Sequence, residues 1–246
     1  MTVFNPSRWE RTDPVSVFVP ESRTGLQRPL AVVDGATRER VPCVVEGQEN
    51  ARFRVHGRRF SFIAEDVPAC GYRRYDLVEG DEEYESPEAD DEPCIENEYY
   101  RVCFDLARGR VTELLDKTSG LNLVDADAPF GFNQCVHDRY TSAPHFNHLA
   151  SRIQATDLAL LGERSAGGLA VVTRRSSNPV WDSVTVRLVD ERADIVESTL
   201  TLFRSVKRLD ITNCIYKVGT PEKESVYFSF PFAVSDLSFH YEITGG

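Results

Sequence analysis

Apolar and polar residues alternate with a period of two along most of this 246-residue chain, and apolar segments with the period and length of a helix are scarce. The alternation is clearest in residues 184–188 and 195–203. Because successive side chains of a strand point to opposite faces of its sheet, each such segment predicts a strand with one buried face. About fifteen strands, with turns at intervals of about 8 to 12 residues, predict an all-β sandwich or barrel.

A tight turn at Asp34-Gly35 predicts the first hairpin of the chain. It connects an apolar segment, residues 30–33, to a second strand near residues 41–45. Pro42 lies in that second strand, and proline has no backbone N–H to donate to a neighbouring strand. The sequence therefore predicts that the second strand lies at the edge of its sheet.

His56-Gly57 predicts another tight hairpin, because a two-residue loop that contains glycine favours such turns. In this register Phe53 faces Phe60 on the apolar side of the strand pair. Further strands are predicted by the same alternation at residues 98–104, 110–115, 184–188, 195–203, 208–218 and 225–232, with turns at residues 105–109, 117–120 and 190–193.

An acidic segment separates two regions of the chain. Residues 79–92 carry nine acidic side chains and no basic one, and without these nine the formal net charge of −11 falls to −2. The segment has no apolar pattern, which is typical of a solvated linker. We predict a small β-sandwich domain over residues 1–80, an acidic linker over 81–93, and the N-terminal part of a larger sandwich over 94–246.

Charge and the lack of targeting signals restrict the partners and the location that we expect. With a pI of about 5.0 and no basic stripe, the chain lacks the Lys and Arg clusters that neutralise the phosphates of nucleic acids and anionic lipids. Its apolar runs are too short to cross a bilayer, and its first residues do not resemble a signal peptide. We expect a cytoplasmic protein with no nucleic-acid or membrane partner.

The cysteines are expected to be mostly buried free thiols. They contain no C-x-x-C pair, and without an export signal their even number is weak support for disulfides. A zinc site assembled from them is the alternative. The six positions are Cys43, Cys70, Cys94, Cys103, Cys135 and Cys214.

Polar and aromatic side chains concentrate in residues 130–147. Planar polar groups beside aromatic rings suit a sugar, because they bind its hydroxyl groups and cover the apolar face of its ring. The alternative is an ordinary long loop that packs its aromatic residues against a neighbouring domain. The substrate-binding candidates in this segment are Asp138, Arg139, Tyr140 and His145.

We predict no metal ligand and no catalytic residue in this chain. His145 and His148 lie in a loop after Pro144, without the helix that places two zinc-binding histidines one turn apart. Sequence spacing identifies no pair of carboxylates at the separations that glycoside hydrolysis requires. The signatures of nucleotide-binding loops and of serine hydrolases do not occur.

Two longer motifs carry a family resemblance. Residues 3–13 read Val-Phe-Asn-Pro-Ser-Arg-Trp-Glu-Arg-Thr-Asp, and residues 96–102 read Glu-Asn-Glu-Tyr-Tyr-Arg-Val. They resemble, respectively, the start of the first β-sandwich and the start of the large mutarotase-like sandwich of glycoside hydrolase family 38, the α-mannosidases. Similar matches follow at Asp105, residues 109–114, Asp116-Lys117, residues 132–134 and residues 225–232, so that the resemblance extends from residue 3 to about residue 243.

The resemblance implies a small β-sandwich followed by part of a galactose-mutarotase-like supersandwich. Members of the family hydrolyse α-mannosidic bonds with retention, using an aspartate nucleophile, an acid–base carboxylate and a zinc ion. Those groups belong to an N-terminal α/β barrel, which we expect this chain to lack. The resemblance therefore implies no cofactor in this segment, and it implies zinc only for the missing catalytic domain.

The expected function is that of a non-catalytic β-sandwich portion of an α-mannosidase-like hydrolase, serving as a scaffold and as one wall of the substrate cleft. Its expected partners are the catalytic barrel and the helical bundle of the same enzyme, a carbohydrate ligand, and a second copy of the chain. A free-standing carbohydrate-binding module that uses residues 130–148 is the main alternative. A sugar epimerase of the mutarotase type is a third, although fold alone does not define function.

Overall fold

The computed structural model describes residues 1–25, 28–50, 55–80, 92–140, 161–189, 195–235 and 238. The chain is 63% strand and 2% helix, and its strands form several antiparallel sheets. The all-β fold that the alternation predicts is therefore confirmed, and the sheets are consistent with a sandwich. Among the described residues, no helix is long and apolar enough to cross a membrane. The cytoplasmic location stays a prediction.

The described strands follow one another with a single short helix, α1 (Glu21–Thr24), after the second strand. In chain order they are β1 (Thr2–Asn5), β2 (Arg11–Pro20), β3 (Leu30–Asp34), β4 (Arg40–Val41), β5 (Cys43–Asn50), β6 (Val55–Val67), β7 (Gly71–Glu79), β8 (Cys94–Glu96), β9 (Tyr100–Asp105), β10 (Arg110–Asp116), β11 (Leu121–Asn122), β12 (Gln134–Tyr140), β13 (Leu161–Ala166), β14 (Ala170–Ser177), β15 (Trp181–Leu188), β16 (Ile195–Phe203), β17 (Leu209–Tyr216) and β18 (Glu224–Ser229).

The described strands form five sheets, and the chain divides into two compact units. The sheet orders are β1-β7-β3-β4, β2-β6-β5, β11-β10-β9-β8, β13-β12-β18 and β14-β15-β16-β17. The first unit comprises Met1–Asp91, Arg174–Val184 and Leu200–Ile211, and the second comprises Glu92–Thr173, Thr185–Thr199 and Thr212–Gly246. The predicted linker at residues 81–93 lies mostly outside the described residues, and the predicted domain boundaries stay a prediction.

In the first unit, the core lies between the sheets β1-β7-β3-β4 and β2-β6-β5. Phe60 and Phe62 of β6 are fully buried there, against Val32 of β3 and Tyr75 of β7. The rings of Phe62 and Tyr75 are tilted, with centroids 4.7 Å apart. Because burial of one phenylalanine side chain contributes roughly 1.5–3 kcal/mol, these rings provide much of the free energy that holds the two sheets together.

The opposite face of β6 is also buried. Ile63 joins Val44 of β5, Val180 and Phe203 in a second apolar cluster of the first unit. A strand with two buried faces does not need polar residues at alternate positions. This explains why residues 60–64, Phe-Ser-Phe-Ile-Ala, are mostly apolar.

Most predicted strands and turns occur where the alternation places them. β9 and β10 form the predicted hairpin, whose turn ends at Gly109 with φ of 62°. The Asp34-Gly35 turn connects β3 to β4, as predicted. Pro42 lies between β4 and β5, each of which is an edge strand of its own sheet, so the predicted edge position is confirmed.

The predicted hairpin at His56-Gly57 is wrong. Both residues lie inside β6, where Gly57 is opposite Gln48 of β5 and Pro20 of β2. A Cβ atom on Gly57 would lie only 2.4 Å from the Val19 carbonyl oxygen. This glycine therefore permits the close approach of β2 and does not form a turn. Phe53, which the predicted hairpin places opposite Phe60, lies outside the described residues.

The expectation of mostly buried free thiols is wrong for four of the six cysteines. Cys94 and Cys103 are directly opposite each other on β8 and β9, and they form a disulfide. Cys70 and Cys214 are free but exposed. The two remaining cysteines, Cys43 and Cys135, are buried thiols outside the disulfide, as expected. The two bonded cysteines are nine residues apart, a spacing that suits opposite positions in a hairpin. Spacing alone does not distinguish such a pair from two unrelated cysteines.

We predict that Gly57→Ala lowers the free energy of unfolding by about 1–3 kcal/mol, because the new methyl group must displace the backbone of β2. Gly47→Ala in the neighbouring strand β5 is the matched control, since nothing lies within 4 Å of its Cβ position. Urea denaturation of both variants measures the difference. Equal losses of stability in the two variants would contradict the close approach at Gly57.

The disulfide predicts a specific pattern of thiol labelling. When the unreduced chain is unfolded and alkylated, four cysteines should react, because Cys94 and Cys103 are bonded to each other. After reduction all six should react. Mass spectrometry of peptides identifies the protected pair, and labelling of Cys94 or Cys103 without reduction contradicts the assignment.

Candidate functional site

Three of the four predicted substrate-binding residues lie on β12, the central strand of the sheet β13-β12-β18. Since side chains alternate along a strand, Asp138 and Tyr140 share one face, and Arg139 lies on the other face. The structure therefore brings Asp138 and Tyr140 together and separates both from Arg139. The fourth candidate, His145, lies outside the described residues.

Asp138 is the centre of the face that we call the Asp138 face, formed by Asp138, Tyr140, Arg164 and Tyr227, with the Phe130 ring beside it. Arg164, directly opposite on β13, donates from Nε to Oδ1 over 2.6 Å and from Nη2 to Oδ2 over 2.7 Å. Tyr227 of β18 donates its hydroxyl to Oδ2 over 2.6 Å. The carboxylate thus accepts three hydrogen bonds from the two neighbouring strands.

The outer part of this face is polar and aromatic. The side chain of Asp138 is only 2% exposed, but that of Arg164 is 39% exposed. The Arg164 guanidinium carbon lies 5.5 Å from the centroid of the Phe130 ring, within cation–π distance. Tyr227 is 37% exposed. The buried carboxylate therefore holds a cation and a phenol at the surface of the sheet.

Charges and burial fix the protonation states on this face. Hydrogen bonds from Arg164 lower the pKa of Asp138 below its ordinary value, against the opposing effect of burial, and Tyr227 lowers it further. Asp138 in turn raises the pKa of Arg164. Burial is the main cause of the raised pKa of Tyr227, and its hydrogen bond to Asp138 adds to it. At neutral pH the carboxylate is ionised and the phenol keeps its proton.

A second group, the Glu224 cluster, consists of His137, Lys217 and Glu224. The Glu224 carboxylate forms an ion pair with Lys217, and its Oε2 lies 2.6 Å from Nε2 of His137. The hydrogen bond from Lys217 is the main cause of the lowered pKa of Glu224, and His137 contributes to it. Glu224 is opposite Arg139 in the β12–β18 register, so this cluster lies on the other face from Asp138.

The described residues contain no cluster of potential metal ligands. No three His, Cys, Asp or Glu side chains in the described parts of the chain lie close enough together to hold a metal ion. The acidic groups of β12 and β18 are instead engaged with Arg164 and with Lys217. These carboxylates therefore have cationic side chains of this chain as their partners.

Fold and site together define an all-β protein with a carboxylate-centred polar face on one of its sheets. No protein-family model matches the chain, and the search of curated proteins found no match either. The resemblance to glycoside hydrolase family 38 therefore depends on the sequence motifs alone.

We predict that Asp138→Asn lowers the free energy of unfolding at neutral pH by about 2–3 kcal/mol, because it leaves the Arg164 guanidinium without its counter-charge. Asp127→Asn is the control, since the exposed Asp127 side chain forms no ion pair with the described residues. Denaturant titration at pH 7 measures the difference. A loss equal to that of the control would show that the ion pair contributes nothing.

The stabilising effect of Asp138 should depend on pH in a defined direction. Its pKa is lower in the folded chain than the unfolded value of about 3.9. The contribution is therefore complete above about pH 5 and is lost as the pH falls through the lowered folded pKa. Between these limits, the stability of Asp138→Asn should decline less steeply than that of the wild type, and parallel curves would exclude this linkage.

Proposed function

We propose that the chain is the non-catalytic β-sandwich portion of an α-mannosidase-like glycoside hydrolase, and that its Asp138 face contacts the carbohydrate. The observation that carries the proposal is the arrangement of the Arg164 guanidinium and the Tyr227 phenol at the sheet surface, both hydrogen-bonded to one buried carboxylate.

The chemistry of this face suits a sugar. Hydroxyl groups both donate and accept hydrogen bonds, so a sugar needs a site that offers both kinds of partner. Arg164 uses Nε and Nη2 for Asp138, and its Nη1 has no hydrogen-bond partner among the described residues. The phenol ring of Tyr227 and the nearby Tyr140 provide apolar surface for the C–H side of a sugar ring.

The protonation states favour binding over acid–base catalysis. A general acid must carry a proton near neutral pH, which usually requires a raised carboxyl pKa. Asp138 and Glu224 both have a lowered pKa, because each is held by a cation. Their positions on opposite faces of one sheet also prevent them from acting on the same glycosidic bond.

A free-standing carbohydrate-binding module is the second candidate. It is favoured by the fact that the four residues of the Asp138 face and the neighbouring Phe130 all belong to one compact unit. Such a module binds its sugar without a catalytic domain. The two candidates therefore differ in whether binding and turnover require the barrel half.

The neighbouring residues Tyr140 and Arg139 provide a matched test of the Asp138 face. Calorimetry with mannose and short α-mannosides should show about tenfold weaker binding for Tyr140→Ala, because an aromatic contact of about 1.4 kcal/mol is lost. Arg139→Ala should bind like the wild type, because its side chain lies on the opposite face. Equal effects of the two substitutions, with both variants folded, would exclude this face as the site.

Turnover separates the two candidates. The chain alone should not hydrolyse α-mannosides, with or without zinc, and turnover by the purified chain would contradict a non-catalytic role. Activity that appears only when a separately produced barrel half of the same enzyme is added supports the mannosidase assignment. Binding by the chain alone, unchanged by that addition, supports the module.

A further inference from the structure

The first unit contains a cavity of about 170 Å³ beside the end of β3. Its lining includes the polar residues Asp34, Arg40, Glu65, Arg73 and Ser205. All of these residues belong to the first unit. None of them takes part in the Asp138 face, so the cavity is a separate feature of the chain.

One wall of the cavity is a rigid charged pair. Asp34 Oδ1 accepts hydrogen bonds from the backbone amides of Ala36 and Thr37, over 2.7 and 3.0 Å. Its Oδ2 accepts from Arg73 Nε over 2.6 Å. Arg73 Nη1 donates to the Glu65 carbonyl oxygen over 2.8 Å, so the guanidinium is held at two points. Arg73 therefore presents a fixed donor group to the cavity, at little further cost in side-chain entropy.

Another part of the wall is apolar. Ile63 and Tyr75 are almost fully buried, and they line the cavity together with Pro42 and Pro179. Burial is the main cause of the raised pKa of Tyr75, so its phenol stays neutral at physiological pH. Concave sites that combine apolar walls with a few fixed polar groups are the usual form of a small-molecule site.

Size and charge restrict the ligand. A cavity of about 150 Å³ accommodates a benzene molecule, so a cavity of 170 Å³ accommodates one six-membered ring. The lining includes three acidic residues, Asp34, Glu39 and Glu65, and two basic ones, Arg40 and Arg73, so one negative charge is left uncompensated. Because this net charge is negative, the cavity favours a neutral ligand over a phosphate or a carboxylate. A benzene-like ring would offer no hydrogen bonds to the polar groups that line the cavity.

We propose that this cavity binds a neutral, polyhydroxylated six-membered ring, such as a single pyranose or an inositol. The guanidinium of Arg73 and the hydroxyl of Ser205 donate to ring oxygens, and the carboxylate of Glu65 accepts from ring hydroxyls. Tyr75 and Pro42 cover the apolar face of the ring. The proposal is independent of the Asp138 face, and it adds a second carbohydrate site in the other unit.

The test is calorimetric titration of the full chain with D-mannose, D-glucose, myo-inositol and inorganic phosphate. Ser205→Trp should block the cavity and weaken the binding of at least one neutral ring by about tenfold or more. Ser205 is exposed in a turn after β16, so the substitution does not disturb the core. Ala126→Trp, at another exposed turn that does not line the cavity, is the matched control and should bind like the wild type.

A second variant makes the result independent of the blocking side chain. Glu65→Ala removes a carboxylate that lines the cavity but keeps the backbone carbonyl that holds Arg73, and it should also weaken binding. The proposal is overturned if no neutral ring binds saturably, if phosphate binds more tightly than every neutral ring, or if both variants bind like the wild type. Binding that Tyr140→Ala abolishes and Ser205→Trp leaves intact assigns the sugar to the Asp138 face alone, and likewise overturns it.

Discussion

Burial of both faces of β6 is the constraint on which the first unit depends. One face places Phe60 and Phe62 in the core between two sheets, and the other places Ile63 in a second apolar cluster. Within its own sheet, β6 is the central strand, between β2 and β5. The apolar segment 60–64 follows from the two buried faces, and the tight contact at Gly57 follows from the pairing with β2.

Each of the two units contains a buried carboxylate that forms an ion pair with an arginine. Asp34 is paired with Arg73, and Asp138 is paired with Arg164, in each case across neighbouring strands. A buried charge is costly unless it is paired and hydrogen-bonded, and removal of one partner would leave the other uncompensated. Because each guanidinium stays partly exposed, the desolvation cost falls mainly on the carboxylate. Each pair also holds an arginine firmly at a surface or cavity where a ligand can reach it.

The sequence predicts the strands well because alternation is a local property. It predicts the Asp105–Gly109 turn for the same reason, since aspartate and glycine favour that turn within five residues. It wrongly assigns Gly57 to a turn, because a glycine that permits close packing cannot be distinguished by sequence pattern from a glycine in a turn. The signal that distinguishes the two cases is the approach of β2, which lies about forty residues earlier in the chain.

The composition of the Asp138 face could not be predicted in the same way. Asp138 and Tyr140 were candidates because they lie in a polar and aromatic segment. Arg164 and Tyr227 were missed because they are 26 and 89 residues from Asp138, and only the register of β12 with β13 and β18 brings them together. Alternation of side chains along β12 separates Arg139 from Asp138 and Tyr140, with which sequence proximity had grouped it. Local pattern fixes which residues are in strands, whereas pairing decides which of them share a surface.

The alternation of faces along β12 has a consequence for how this chain tolerates changes of length. Insertion or deletion of one residue within the strand would move every side chain beyond it to the opposite face. Asp138 would then point to the face on which the partners of His137 lie. There it would add a negative charge to the Glu224 cluster. Changes of two residues would keep the faces but shift the pairing. Viable length variation should therefore be confined to the loops on either side of this strand, while the strand itself keeps a constant length.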